Sequence, residues 1–202
     1  MVNRPFRSYA IVPAAGRSQR MGRPKLLMGW RDETVIDAVL NAWQTSGVDQ
    51  VVVVVRPEDR VLAEHCRRFG VYVLVPSEPP AEMKHSVQLA IAHLQRICQP
   101  SDTDAWLLAP ADLPELSGKL IDHVLTGYQP SAPKIVIPRV RDRRGHPVLF
   151  PWGVAKELEQ LGADEGVNAL VKRHAVTEMD WQDDRMFEDV DTPDDYRRLA
   201  GS

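Results

Sequence analysis

The first apolar run of the chain, residues 9–12, empties into a loop rich in glycine, small residues and cations. It reads Ala14-Ala15-Gly16-Arg17-Ser18-Gln19-Arg20-Met21-Gly22-Arg23-Pro24-Lys25. Gly16 and Gly22 let the backbone turn sharply and approach a ligand closely. Exposed N–H groups in such a loop form an anion-binding concavity. Arg17, Arg20, Arg23 and Lys25 set formal positive charge beside it, and a guanidinium can hold two phosphate oxygens at once. The chemistry this composition suits is the grip of a polyanion such as a triphosphate. Neither common Gly-rich nucleotide motif is present. Lys25 stands three residues past Gly22 and behind Pro24, and the two glycines lack the G-x-G-x-x-G spacing.

A bound triphosphate brings Mg²⁺, which favours carboxylate oxygens, phosphate oxygens and water. Two acidic places suit that demand. Asp112 lies just past the apolar run 106–109, between Pro110 and Pro114, which restrict its loop. Farther on, Glu188-Asp189-Val190-Asp191-Thr192-Pro193 offers Asp189 and Asp191. Residues two apart on a strand share a face, so both could point at one cation. One of them binds metal and the other is structural, and the spacing leaves open which. Asp194 and Asp195 belong to a helix start, with Thr192 as cap and Pro193 at the first helical position.

The segment Pro13-Ala14-Ala15-Gly16-x-Ser18-x-Arg20-Met21-Gly22-x-Pro24-Lys25-Leu26-Leu27 resembles the signature loop of the nucleotidyltransferases with a Rossmann-like fold. Within them it is similar to the molybdenum cofactor cytidylyltransferases and guanylyltransferases. The resemblance recurs at Asp112-Leu113-Pro114, at Gly145-His146-Pro147-Val148-Leu149-Phe150 and at Asp189-Val190-Asp191-Thr192-Pro193, so it covers nearly the whole chain. It implies a nucleoside triphosphate held by Ala14, Ala15, Gly16, Arg17, Ser18, Arg20 and Lys25, with Arg20, Lys25 and Asp112 carrying catalysis. It implies Mg²⁺ on Asp112 and on Asp189 or Asp191, and release of pyrophosphate. Gly145 and His146 would line an acceptor pocket, where Arg141, Arg143 and Arg144 could hold a phosphate monoester. The similarity of 145–150 to cytidylyltransferases favours CTP as donor and a molybdopterin-like acceptor, with a molybdoenzyme or its chaperone as downstream partner.

One turn departs from that pattern. Ala81-Glu82-Met83-Lys84-His85-Ser86 replaces a Gly-Met-Ser-Ser-Ser-like turn, and only Met83 and Ser86 match. The turn bears on contacts to the base and ribose, and Ser86 is kept as a binding residue. Guanylyl transfer, or transfer to a sugar phosphate or another metabolite, is the runner-up. A nucleotide-binding regulator without catalysis is the reading from another class. Retention of Arg20, Lys25, Asp112 and the acid pair argues against it.

The elements that must position these residues alternate. Apolar runs at 9–12, 51–55, 71–75, 106–109 and 135–140 read as strands. Amphipathic segments at 34–45, 58–69, 82–97 and 118–125 read as helices. The five valines at 51–55 show no polar alternation, so that strand is buried on both faces. The expectation is a three-layer α/β/α sandwich with a mostly parallel sheet, in which ligands sit outside the carboxyl ends of the strands. Past residue 140 the reading is a turn at 141–145, a returning strand at 146–150, helices at 153–161 and 167–173, and short strands at 176–179 and 186–190. No linker or repeat divides the chain, so residues 1–202 form one domain.

Composition closes off other classes. A net charge of −3 gives no basic field for nucleic acid and no polybasic patch for a membrane. No apolar stretch is long enough for a signal sequence or a membrane span. Cys66 and Cys98 have no metal-ligand or disulfide-framework spacing. Free buried thiols suit a reducing cytosol, so the expected location is cytoplasmic.

Overall fold

The computed structural model describes residues 4–17, 21–22, 24–190 and 192–200. In chain order its elements begin with β1 (Ser8–Pro13), a 3₁₀ turn at Lys25–Leu27 and a small hairpin of β2 (Gly29–Trp30) and β3 (Glu33–Thr34). Then come α1 (Val35–Gln44), β4 (Gln50–Val54), α2 (Arg60–Arg67), β5 (Tyr72–Leu74), α3 (Met83–Cys98), β6 (Ala105–Leu108) and α4 (Gly118–Thr126). The remainder is β7 (Ile135–Val140), β8 (Arg143–Arg144), β9 (Val148–Pro151), a 3₁₀ stretch at Trp152–Gln160, α5 (Asn168–Arg173), β10 (Val176–Asp180), a 3₁₀ turn at Asp184–Phe187 and α6 (Pro193–Ala200).

The main sheet runs β10-β7-β9-β6-β1-β4-β5, with β8 paired to β7. β1 lies parallel to β4 and β6, β4 parallel to β5, and β7 parallel to β10. β9 is antiparallel to both β6 and β7. The valine run shows why the sheet is the middle layer. Val51, Val53 and Val55 join the core under α1, α2 and α4, with Trp43, Leu62 and Leu120. Val52 and Val54 join the opposite core, with Val87, Ala90 and Leu94 of α3 and Trp152 and Leu158 of the 3₁₀ stretch. Successive side chains point to opposite faces, and both faces are covered by helical layers, so none of positions 51–55 is left for a polar residue. The α/β/α sandwich expected from the alternation is what forms.

Helix starts follow local chemistry. Thr34 and Asp37 build a reciprocal capping box at α1, and Ser117 accepts from Leu120 N at α4. Thr192 and Asp195 do the same at α6: Thr192 N donates to Asp195 Oδ2 at 2.9 Å, and Asp195 N donates to Thr192 Oγ1 at 3.1 Å. Asp195 is thereby a capping residue, as expected. No helix among the described residues is long and apolar enough to cross a membrane.

The expected strand near the C-terminus does not form. Residues 186–190 are not a strand. Asp183 accepts from Arg185 N and starts a 3₁₀ turn, which ends before irregular backbone at 188–190. The buried residues there are Met186 and Val190, four apart rather than two, and the side-chain-to-backbone bond at Asp183 competes with extended pairing. The shared-face argument for Asp189 and Asp191 loses its strand, and Asp191 lies outside the described residues. The helix expected at 153–161 forms as a 3₁₀ helix, spanning Trp152–Gln160.

Candidate active site

Three loops leave the carboxyl ends of β1, β4 and β6 on one edge of the sheet and enclose a cleft of about 490 Å³. Backbone bonds carry the strand register into those loops. Ala14 N donates to Val54 O at 2.9 Å, and Ala111 N donates to Pro13 O at 3.3 Å. The cleft wall includes Ala14, Ala15, Gly16, Arg17, Lys25, Ser86 and Asp112, so the fold brings these expected residues to one place. A Cβ built on Gly16 would meet nothing within 4 Å, which leaves open space above the loop backbone. Gly22 has φ +65°, the left-handed conformation that glycine adopts without strain. Ser18 and Arg20, with Gln19, Arg23 and Asp191, lie outside the described residues.

Lys25 opens the 3₁₀ turn and is only 9% exposed. Its Nζ stands 2.5 Å from Asp112 Oδ2 across the mouth of the cleft. The loop that carries Asp112 is tied to the C-terminal segment, since Val190 N donates to Asp112 O at 3.0 Å. Asp189, exposed, is therefore adjacent along the chain to a residue bonded to Asp112. Glu115, three residues past Asp112, pairs with Arg31 at 2.5 Å and with Arg185 at 3.6 Å. Among the described residues no cluster of three or more Asp, Glu, His or Cys groups is placed to hold a metal ion. Asp112 and Glu82 are the acids in the cleft wall, and Asp189 stands one residue before Val190, whose backbone bonds to Asp112.

On the opposite wall, the amino end of α3 brings Glu82, Met83 and Ser86 to the cleft, beside Pro79 and Pro80. Unpaired N–H groups at a helix start favour anions. Lys84, one of the residues that depart from the family turn, is buried at 5% exposure and faces elsewhere. Its Nζ donates to Gly162 O at 2.8 Å and Ala163 O at 3.2 Å, which fastens the 162–163 loop to α3. His85 is half-buried and is not part of the cleft wall.

Gly145 and His146 lie next to the cleft's back wall rather than in it. Gly145 N donates to Pro138 O at 2.8 Å, and a Cβ on Gly145 would come within 2.7 Å of Met186 Cε. The His146 ring reaches back to β6, with Nδ1 3.2 Å from Leu108 O. A carbonyl only accepts, so Nδ1 carries the hydrogen and Nε2 is the acceptor nitrogen. Burial pushes the His146 imidazole below its ordinary range, against smaller raising effects of the Leu108 carbonyl and the Asp112 charge. His146 is neutral near pH 7 and does not act as a cationic group.

The arginines of the hairpin differ in what they can do. Arg144 pairs with Glu178 at 2.7 Å, in a network where Glu178 also holds Arg139. Its charge is committed to β10 rather than to an acceptor. Arg143 lies over the Phe187 ring, 4.2 Å from the centroid. Arg141 is exposed at the hairpin tip.

Sequence reasoning missed Arg56. It follows the valine run directly, at the carboxyl end of β4, and lines the cleft at 8% exposure. The signal was its position: a cation immediately after a strand with two buried faces. Lys84 gave no comparable signal.

Comparison with known proteins agrees with this geometry. The profile of the MobA-like NTP transferase domain matches residues 10–178. The crystal structure of Rv0371c from Mycobacterium tuberculosis is 32% identical, with TM-score 0.82, over 98% of this chain and 100% of that one. The same protein has also been solved as a complex with manganese. Nicotine blue oxidoreductase of Paenarthrobacter nicotinovorans is 25% identical over 94% of both chains. A probable molybdenum cofactor guanylyltransferase of Bacillus mycoides is 26% identical over 70% of this chain and 66% of that one. A cation-rich strand-end cleft and a profile match across most of the chain lead to one conclusion: this protein belongs to the MobA-like NTP transferase family, related to the molybdenum cofactor guanylyltransferases and other nucleotidyltransferases.

Proposed function

We propose that this protein transfers a nucleoside monophosphate from a nucleoside triphosphate to a phosphate on a small acceptor, releasing pyrophosphate. The observation that carries the reading is the Lys25–Asp112 pair, 2.5 Å apart at the mouth of a cleft walled by Gly16 and Arg17. A cation-rich cradle and a carboxylate meet there, as a metal-bound triphosphate requires. An acceptor phosphate oxygen attacks the α-phosphorus. The new P–O bond forms as the α–β bridge breaks, and the electron pair leaves on pyrophosphate. The acceptor phosphate is already largely ionised near neutral pH, with a second pKa of about 6, so no general base is needed. Lys25, Arg17 and Arg20 would hold the β- and γ-phosphates where negative charge grows. Positioning and electrostatics supply the rate.

Asp112 and Asp189 fit a divalent cation. They are hard oxygen donors from two segments that the Val190–Asp112 backbone bond holds together, and Mg²⁺ commonly takes one or two carboxylates plus phosphates and water. Such a cation, when bound, supplies charge neutralisation on the phosphates. Gly145 and His146 would shape the acceptor side, His146 through a neutral ring.

CTP as donor and a molybdopterin-like acceptor are the finer reading, supported by the resemblance of 145–150. Guanylyl transfer is the second, favoured by the relative described as a probable molybdenum cofactor guanylyltransferase. Pyrophosphate release with each of the four triphosphates, with Mg²⁺ or Mn²⁺, and with molybdopterin, a panel of sugar phosphates and other phosphorylated metabolites, or no acceptor, tests all of it. Acceptor-dependent release with one triphosphate supports transfer. Nucleotide binding without release under any combination sinks it in favour of a regulator.

A further inference from the structure

We propose that Arg56 reads the base of the bound nucleotide and selects an edge with two adjacent hydrogen-bond acceptors, as on cytosine or guanine. The proposal rests on the nucleotidyl-transfer reading above. In the sheet, β1 lies between β6 and β4, so Asp112 and Arg56 enter the cleft from opposite sides of the loop after β1. Neighbouring strands are about 4.8 Å apart, which sets the two ends roughly 10 Å from each other. A triphosphate gripped at the Lys25 and Asp112 end lays its base toward Arg56.

The surroundings of Arg56 suit a flat aromatic ligand. Ala14 and Ala15 form one wall, and Pro79, Pro80 and Met83 another. Met83 is 44% exposed, a large apolar side chain held at the rim of the cleft. The guanidinium itself is fixed. Arg56 Nε donates to Glu58 Oε1 at 2.7 Å, and Nη2 donates to the same oxygen. Its remaining terminal nitrogen, Nη1, is 3.5 Å from Ala15 O, at the limit of a hydrogen bond. A buried donor with so weak a partner has strong reason to prefer a ligand acceptor.

Arg offers donors only, in a planar fork. Cytosine presents O2 beside N3, and guanine presents O6 beside N7. Adenine sets an amino donor next to N7, and uracil sets N3–H between its two carbonyls. The outer edge of the guanidinium, one Nη1 hydrogen and the Nη2 hydrogen that Glu58 does not take, therefore matches cytosine and guanine and opposes the other two. A good bidentate pair discriminates roughly ten- to hundredfold against the wrong base.

Equilibrium binding of CTP, GTP, ATP, UTP and inorganic tripolyphosphate, each with Mn²⁺, tests this on wild type, Arg56→Met and Arg56→Lys. The wild type should favour CTP or GTP over ATP and UTP by roughly tenfold or more. Arg56→Met should erase that preference while leaving tripolyphosphate binding intact. Arg56→Lys, which keeps the charge without the fork, should also lose the preference, and melting curves report whether each variant folds. Glu58→Gln, which frees the guanidinium without removing it, should weaken the preference in part, and it carries the test if both Arg56 variants fail to fold. Preference kept in the folded variants overturns the proposal, and so does uniform weakening of every ligand including tripolyphosphate, which would make Arg56 a phosphate contact. Either of those results leaves nucleotidyl transfer standing. A wild type that binds no triphosphate overturns both readings.

Discussion

The two halves of the sheet reach the cleft edge by opposite routes. In the parallel half, β1, β4 and β6 end there, and their outgoing loops bring Gly16, Lys25, Arg56 and Asp112. In the other half, β9 runs antiparallel and begins there, with Val148 opposite Leu108. Gly145 and His146 therefore arrive at the same edge from an amino end. The first half supplies charge, and its loops wall the cleft. The second supplies a packed backing of Gly145, His146 and Met186 behind the Asp112 loop. Substitutions in the first half should damage ligand affinity and rate, while those in the second should damage stability first.

The largest expected effect is at Asp112. Asp112→Asn should lower cation-dependent turnover by roughly 10²–10³-fold, the scale of removing one preorganised electrostatic contact. The amide still accepts from Lys25, so thermal melting should move only a few degrees. A collapse in melting temperature with activity per folded molecule retained would place Asp112 with the structural half. Lys25→Ala comes next. Titration calorimetry with triphosphate and cation should register a loss of about 1.5–3 kcal/mol, a charge-assisted contact.

Gly145→Ala sharpens the comparison from the other side. Its new Cβ would press on Met186 Cε at 2.7 Å and Phe187 Cε1 at 3.1 Å, and the flexible methionine can give way. Chemical denaturation should show a cost of about 1–3 kcal/mol, typical of overpacking. Cation affinity should fall as well, because Met186 leads into Asp189 and Val190. Stability lost with cation affinity unchanged would mean that the two halves work independently. The smallest effect is at His146, whose ring resists protonation because it is buried. The unfolded chain takes up that proton near pH 6.5, its ordinary value, while the native state does not. Stability contributed by neutral His146 is thus complete above that pH and declines as pH falls below it. His146→Gln should flatten this part of a stability–pH curve measured by denaturant titration.

The parallel half was legible because its signals are local. A buried valine strand and a loop combining glycines with cations both follow from residues close in sequence. Asp112 was legible for the same reason, at a strand end between prolines. The C-terminal segment was not, because Asp183 diverts the backbone into a turn and only long-range packing of Met186 and Val190 decides where Asp189 goes. Lys84 shows the same limit. As a sequence letter it threatened the nucleotide turn, yet its ammonium is spent on two carbonyls nearly eighty residues away. Arg56 was legible only as a cation directly after a buried strand, and the order of strands is what places it opposite Asp112.

If Lys25 holds the triphosphate and Asp112 the cation, as proposed above, the 2.5 Å contact between them makes the two ligands depend on each other. A divalent cation arriving alone must displace an ammonium from its carboxylate. A triphosphate arriving alone draws the ammonium away and brings its own charge toward a bare carboxylate. When both arrive, each takes one partner of the pair, and neither the ammonium nor the carboxylate is left without an opposite charge. Each ligand should then raise affinity for the other by the same factor, and couplings of this kind are typically worth about 1–3 kcal/mol, or roughly 5–150-fold. The ion pair is a latch with two keys.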